Sequence, residues 1–408
     1  MDVTAVVAAV EEALVKFSAK NEETSHTSLP NRLREIVLVH ESSKGVEHVL
    51  SAQEEFAHAP MISSLGGGMG FSPQFVAPML LREARIRGVS RAVEWLQKVL
   101  GTKSARGIAI YTLRGVRVDR SASLTKDVDL VPFESLPDSR QKEGLSTPAL
   151  APYQTVPLYA FGPPSSALVT PVEITPYLVN SASVIPPTSR ADLYVRFEDI
   201  RHCLALSRSG AVIPGPSWFQ YDDPDLEAAL LGSSSSFGHQ EVVPLVLVDD
   251  GGTDLQQAID TVSGFYALED GVRHRVRTAM ERVHLAFIRS SPADRALELA
   301  IALETLLVES SGENTFKIAL RAALLTGDDV QTRATNRAII GAAYGLRSAL
   351  MHSGQSPGHC TVRGRGKVPA AEVAATATGI TVAVIQRILR DRQLPDWNAL
   401  ELAGGTAR

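Results

Sequence analysis

The sequence predicts an α+β protein of more than one domain: a mixed, largely β N-terminal region followed by a C-terminal, all-α, up-and-down bundle. Three observations predict this class. Between residues 106 and 248, short β-like runs are separated by Pro, Gly and Ser, with prolines dense from 132 to 187. From about residue 263 to 356 the chain is almost free of proline and carries helical periodicity. Within that stretch Pro292 and Asp294 stand where a helix begins.

Each element follows in order. Val6, Val7, Val10, Leu14 and Phe17 share one stripe of a helix over residues 1–18, and the polar stretch from Ser18 to Asn31 reads as a loop. Residues 47–101 alternate helical runs with turn signals, so 1–105 is a mixed helical region. The cluster Gly66-Gly67-Gly68-Met69-Gly70 reads as a flexible turn. It has neither the Gly-Lys-Ser/Thr ending of a phosphate loop nor the spacing of a dinucleotide fingerprint. Strands are predicted at 107–111, 116–118, 128–131, 167–174, 193–197 and 242–248, with an exposed serine run at Ser233 to Ser236 and a turn at Asp249 to Gly252; residues 106–255 are therefore a β-rich domain. Helices follow at 264–290, 293–311, 314–326 and 329–353, then at 369–392 beyond the basic segment Arg363-Gly-Arg-Gly-Lys367. Short connections between successive helices imply antiparallel neighbours, so 263–395 packs as a bundle.

The 408 residues, 44% hydrophobic and 21% charged, suffice for two or three domains with sizeable cores and exclude a disordered chain. No apolar run reaches bilayer length, and Met1-Asp-Val-Thr lacks the basic start and apolar core of a signal peptide. Two cysteines, Cys203 and Cys360, are too few and too distant for a disulfide framework. The expectation is a reducing cytoplasm and no membrane. The net charge of −5 is unevenly spread. Residues 265–408 hold 18 Lys and Arg against 14 Asp and Glu, a balance of +4, leaving 22 against 31, or −9, in residues 1–264. The C-terminal part is the better partner for a polyanion.

Chemistry concentrates at the end of the fourth bundle helix, in Tyr344-Gly-Leu-Arg347-Ser348-Ala-Leu-Met-His352-Ser-Gly354. An arginine grips phosphate oxygens bidentately, and a histidine exchanges a proton near neutral pH. Arg347 and His352 lie five residues apart, about 140° around a helix, so they share no narrow face. A two-fold dimer packing fourth helices together would gather an Arg and a His from each chain around one cleft. Gly341, Gly345, Ser348 and His352 form a stripe suited to close approach. On the second helix Leu297, Ile301, Glu304 and Val308 share a stripe; Ile318, Arg321 and Leu325 do so on the third, and Ile340, Tyr344 and Arg347 on the fourth. Three inward polar groups suggest a charge network in which Glu304 pairs with Arg321 or Arg347 and fixes the latter. Arg363, Arg365 and Lys367 are candidate contacts for a nucleic-acid backbone, beside the plainer alternative of a solvated basic loop. The histidines show no metal spacing: His26, His40, His48 and His58 are scattered, and His202 with Cys203 has no partner nearby. Neither metal nor cofactor is expected.

In this order and spacing, the segments resemble the HEPN ribonuclease superfamily, and within it the Apea-like branch. Arg295 to Leu307 resembles that branch's second helix, Ile318 to Leu325 its third, and Tyr344 with Arg347-Ser348 the start of its fourth, closed by Arg-x4-His. The resemblance spans roughly residues 265–395. It implies a metal-independent endoribonuclease, active as a homodimer, with Arg347 and His352 catalytic and Glu304, Arg321, Tyr344 and Ser348 in support. Ser348 departs from the Asn, Asp or His that many members carry there. The resemblance further implies an RNA substrate such as tRNA, an anti-phage defence or toxin role in abortive infection, a phage trigger or antitoxin, and an N-terminal sensor or regulator. The alternatives are a non-catalytic HEPN module that binds RNA, nucleotide or protein, and an interaction protein whose Gly341–His352 stripe serves dimerisation alone.

Overall fold

A computed structural model describes residues 1–23, 31–65, 67–146, 163–180, 188–230, 252–308 and 314–402. In chain order the helices are α1 (Val3–Glu23), α2 (Asn31–Ser42), α3 (Lys44–Ser51), α4 (Pro73–Arg87), α5 (Val89–Gly101), α6 (Arg140–Ser146), α7 (Thr188–Ser207), α8 (Pro224–Ala228), α9 (Leu255–Tyr266), α10 (Asp270–Ile288), α11 (Pro292–Leu307), α12 (Asn314–Thr326), α13 (Val330–Ser353), α14 (Ala370–Asp391) and α15 (Trp397–Leu402). The strands are β1 (Pro60–Ser64), β2 (Gly67–Gly70), β3 (Ala105–Arg114), β4 (Ala122–Ser123), β5 (Asp129–Pro132), β6 (Ser166–Ile174), β7 (Leu178–Asn180), β8 (Ile213–Tyr221), β9 (His359–Val362) and β10 (Gly366–Pro369). The chain is thus mixed α and β, with strands in its N-terminal part and helices in its C-terminal part.

It divides into two compact units, Met1–Ile110 with Val169–Tyr194 and Pro216–His239, and Tyr111–Leu168 with Val195–Gly215 and Gln240–Arg408. A five-stranded sheet has the order β4-β5-β6-β3-β8. In the first unit α1, α3, α4 and α5 pack on one another, and a three-stranded sheet of order β2-β1-β7 lies in the same unit. There Lys98 bridges Asp223 and Asp225 while Arg87 also reaches Asp225, tying α4 and α5 to α8.

The second unit is built around α14, which touches α9, α10, α11, α12 and α13. Successive helices from α10 to α14 are neighbours in space. Gly264 makes part of this packing possible: a Cβ there would stand 2.7 Å from the Leu389 carbonyl oxygen, so α9 meets α14 backbone to backbone. By length and composition α14 could cross a membrane, but most of its apolar stretch is buried in the bundle. Packing accounts for its hydrophobicity.

Several elements differ from the sequence expectation. Residues 193–197, rich in β-formers, lie in α7 because Leu193, Phe197, Ile200 and Leu204 recur at helical spacing and are all buried. Tertiary burial along that stripe overrides local β propensity. The glycine cluster contributes β2, paired antiparallel to β1 with Ile62 opposite Met69. Residues 116–118 form no strand, only a bridge from Arg117 to Gly252. Helix α1 extends into the predicted loop as far as Glu23, with Lys20 paired to Glu41 of α2, and residues 24–30 of that loop lie outside the described residues. The long helix over 264–290 is two, parted between Tyr266 and Asp270, with the Arg273 guanidinium donating to the Leu268 carbonyl at the break. The predicted strand at 242–248 and the serine run at Ser233 to Ser236 lie outside the described residues.

Candidate functional site

Helix α13 carries the candidate residues, and its own sequence sets its ends. Asp329 caps it, its carboxylate accepting from the Thr332 amide at 2.9 Å. Gly354 closes it at φ 64°, with its amide and that of Gln355 donating to the Leu350 and Ala349 carbonyls. Ile339, Ile340, Ala343, Tyr344 and Leu346 form the buried face. Gly341, Gly345, Ser348 and His352 all lie exposed on another.

Arg347 continues the inner face and is half-buried beside Glu304 of α11, Nη2 lying 3.7 Å from Oε1. Its guanidinium sits 5.9 Å from the Tyr344 ring centre. The Tyr344 hydroxyl reaches both the Ala300 carbonyl and Glu304 Oε1 at 3.4 Å, the limit of a hydrogen bond. Burial, reinforced by the Glu304 charge, pushes that hydroxyl's pKa up, so Tyr344 is a neutral hydrogen-bond donor here. The Arg347 Nε is buried yet has no hydrogen-bond partner among the described residues. An arginine so weakly engaged keeps donors for an added anion. His352 sits exposed one turn further on. Within one chain Arg347 turns toward α11 while His352 faces solvent, so the structure does not bring the pair together.

Arg321 belongs elsewhere. It is buried, donates from Nε to Glu401 at 2.7 Å and from Nη1 to the Leu307 carbonyl at 2.6 Å, and lies 4.8 Å over the Trp397 ring. It closes the end of α11 and holds α15, so of the two partners envisaged for Glu304 only Arg347 is adjacent. Glu304 itself is half-exposed. The buried carboxylate of α11 is Glu298, one and a half turns earlier, gripped by Arg289 at 2.8 Å and Arg282 at 3.3 Å. That pairing had a faint signal, two arginines at the end of the preceding helix.

No family model, curated protein or solved structure matches the chain.

Arg363, Gly364 and Arg365 form the turn of the β9–β10 hairpin, with Gly364 and Gly366 at φ 81° and 74°. This glycine-assisted three-residue turn explains the Arg-Gly-Arg-Gly-Lys pattern. Arg363 and Arg365 line a groove of about 840 Å³ along α13, while Lys367 lies exposed on β10 beyond its lining.

A polar cluster that the sequence reading missed centres on buried Arg201. Its guanidinium bonds Glu198, the Val212 carbonyl, and the rings of His284 at 3.0 Å and His202 at 2.9 Å. Tyr111 bonds Glu198. Burial, aided by the Arg201 charge, holds His202 well below the usual imidazole pKa. The Glu198-x-x-Arg201 spacing becomes a signal only once 193–207 is known to be helical.

Proposed function

We propose that the second unit is a metal-independent endoribonuclease of the HEPN type, with Arg347 and His352 of two copies of the chain around one phosphodiester. What carries this reading is Arg347: a permanent cation near the end of α13, paired among the described residues only with Glu304, at 3.7 Å. In the reaction the RNA 2′-oxygen bonds to the adjacent phosphorus as its proton passes to His352, and the bond from phosphorus to the 5′-oxygen breaks as that oxygen takes a proton. The products are a 2′,3′-cyclic phosphate and a 5′-hydroxyl. Arg347 stabilises the charge gathering on the phosphate oxygens, and His352 works as base or acid. Glu304 and Tyr344 position Arg347; Arg321 supports the bundle from a distance.

Dimerisation is part of the proposal, because one chain separates the two side chains. A nuclease free in its own cell would destroy that cell's RNA. The remaining part of the chain is therefore assigned to sensing or restraint, with a phage component or an antitoxin as the controlling partner in a defence or toxin setting.

A second reading, a bundle that binds RNA without cutting it, draws support from the same separation of Arg347 and His352. Cleavage of total RNA and tRNA in EDTA by wild type, His352→Ala and Arg347→Ala divides the two. Cleavage by wild type alone, leaving cyclic-phosphate ends, upholds the nuclease. Toxicity of full-length protein in cells that His352→Ala does not relieve would refute it.

A further inference from the structure

The groove along α13 has a composition of its own. Its lining joins small residues of α13, Ala338, Gly341 and Gly345, to three arginines, Arg337 of the same helix and Arg363 and Arg365 of the hairpin turn, with no carboxylate among them. From Gln331 to Leu346 it follows sixteen residues of helix, a rise of roughly 22 Å. Its lining on α13 stops at Leu346, and Arg347, turned toward α11, is not part of it.

The cations are available. Arg363 has no ion pair among the described residues, and Arg365 holds only Glu372 at 2.8 Å in a half-exposed pair that a phosphate can displace. Arg337 lies 4.6 Å over the ring of Phe316, which is 51% exposed. A guanidinium stacked on an accessible aromatic ring is a platform for an unpaired base. Small residues along the helix, three arginines and an exposed ring stacked under one of them fit an extended polyanion bearing flat bases.

We propose that this groove binds the backbone of single-stranded RNA and leads it toward His352, which continues the exposed Gly341–Gly345 stripe of α13. The proposal rests on the RNA-cleaving function above and adds the path by which substrate arrives.

The test uses full-length protein and a fluorescein-labelled 12-nucleotide 2′-O-methyl RNA, which lacks the attacking hydroxyl and is not cut. Binding is followed by anisotropy across a salt series. The Arg363→Gln/Arg365→Gln double variant is expected to bind at least about tenfold more weakly. Its plot of log affinity against log salt should be shallower by roughly 1.4, two contacts at about 0.7 each for a single strand. Gly341→Leu fills the groove at a site where an added Cβ meets no atom within 4 Å, so the fold is retained. It should weaken binding as much while leaving the slope unchanged. Arg91→Gln, far along the sequence on α5, is the control and should bind like wild type.

Wild-type affinity and slope in both groove variants, no binding by wild type, or an equal loss in Arg91→Gln would each overturn the proposal. So would a change of oligomeric state in the groove variants, which would mean that a second copy of the chain occupies the groove. Cleavage of unmodified RNA is measured in parallel. Groove-dependent binding without any cleavage would sink the nuclease and keep the groove; His352-dependent cleavage with groove-independent binding would do the reverse.

Discussion

Arg321→Met tests whether a buried arginine of this bundle serves the fold or the candidate site. Methionine keeps most of the apolar stem and removes the guanidinium, which in the native protein is 6% exposed. Three interactions go. The bond to the Leu307 carbonyl, from a charged donor at 2.6 Å, is worth about 1.5–3 kcal/mol. Stacking on Trp397 adds about 0.5–1 kcal/mol. The pair with Glu401, itself about a third exposed, is discounted to under about 1 kcal/mol. Apolar packing by the methionine offsets part of this, which leaves a loss of about 3 kcal/mol. For a body of this size that lowers Tm by roughly 6–12 °C. Thermal unfolding followed by Trp fluorescence and circular dichroism measures it, with Glu401→Gln beside it as the smaller perturbation, under about 1 kcal/mol. At a temperature where both variants are folded, RNA cleavage should match wild type, because Arg321 touches neither Glu304 nor Arg347. An Arg321→Met protein melting within about 2 °C of wild type, or one of native stability that has lost cleavage, would refute the assignment.

Other expectations follow from the same geometry. Glu304→Ala removes the group beside Arg347, and cleavage should slow about tenfold with stability changed by no more than about 1 kcal/mol, since both partners are half-exposed; unaltered cleavage by the folded variant rules out positioning. Burial depresses the pKa of His202 in the folded protein, so the unfolded chain binds the extra proton and stability is full above the ordinary value of 6.5. As pH falls below that value, stability should drop at up to about 1.4 kcal/mol per unit, and His202→Gln should flatten a Tm series between pH 7 and 5. Gly345→Ala adds a Cβ where no atom lies within 4 Å, so it should stabilise α13 by roughly 0.5–1 kcal/mol in chemical denaturation. A weaker dimer in that variant, seen by sedimentation, would place Gly345 in a contact between copies.

The helices of the second unit were legible because their signals are local. Pro292 and Asp294 start α11, Asp329 caps α13 and Gly354 ends it. The charged partners were less legible, because pairing depends on which of two adjacent faces turns inward. Glu304 falls on an apolar stripe in sequence, yet Leu299, Leu303 and Leu306 define the buried face and turn Glu298 inward instead. Helix α7 was hidden because Tyr194, Val195 and Phe197 favour strands, while the spacing of Leu193, Phe197, Ile200 and Leu204 favours a helix. The Arg201 cluster vanished with it, since Glu198 and Arg201 face each other only at helical pitch. The groove joins α13 to a hairpin later in the chain, and no periodicity reports a juxtaposition of that kind.

The bundle satisfies its charged groups in two places and leaves a third short. Arg321 makes bonds of 2.6 and 2.7 Å, and Glu298 is held by two arginines. Both belong to structure, although Arg282, one of the two arginines on Glu298, likewise keeps a buried Nε without a partner among the described residues. At Arg347 the same helices provide one 3.7 Å contact, a Tyr344 hydroxyl stretched to 3.4 Å between two acceptors, and a buried Nε with nothing to bond. Buried polar groups that a fold leaves unpaired cost stability and call for a reason. The shortfall here lies near the end of α13, one turn from an exposed histidine. Two phosphate oxygens in front of the half-exposed Arg347 guanidinium would give its accessible donors the close acceptors that Glu304, at 3.7 Å, does not.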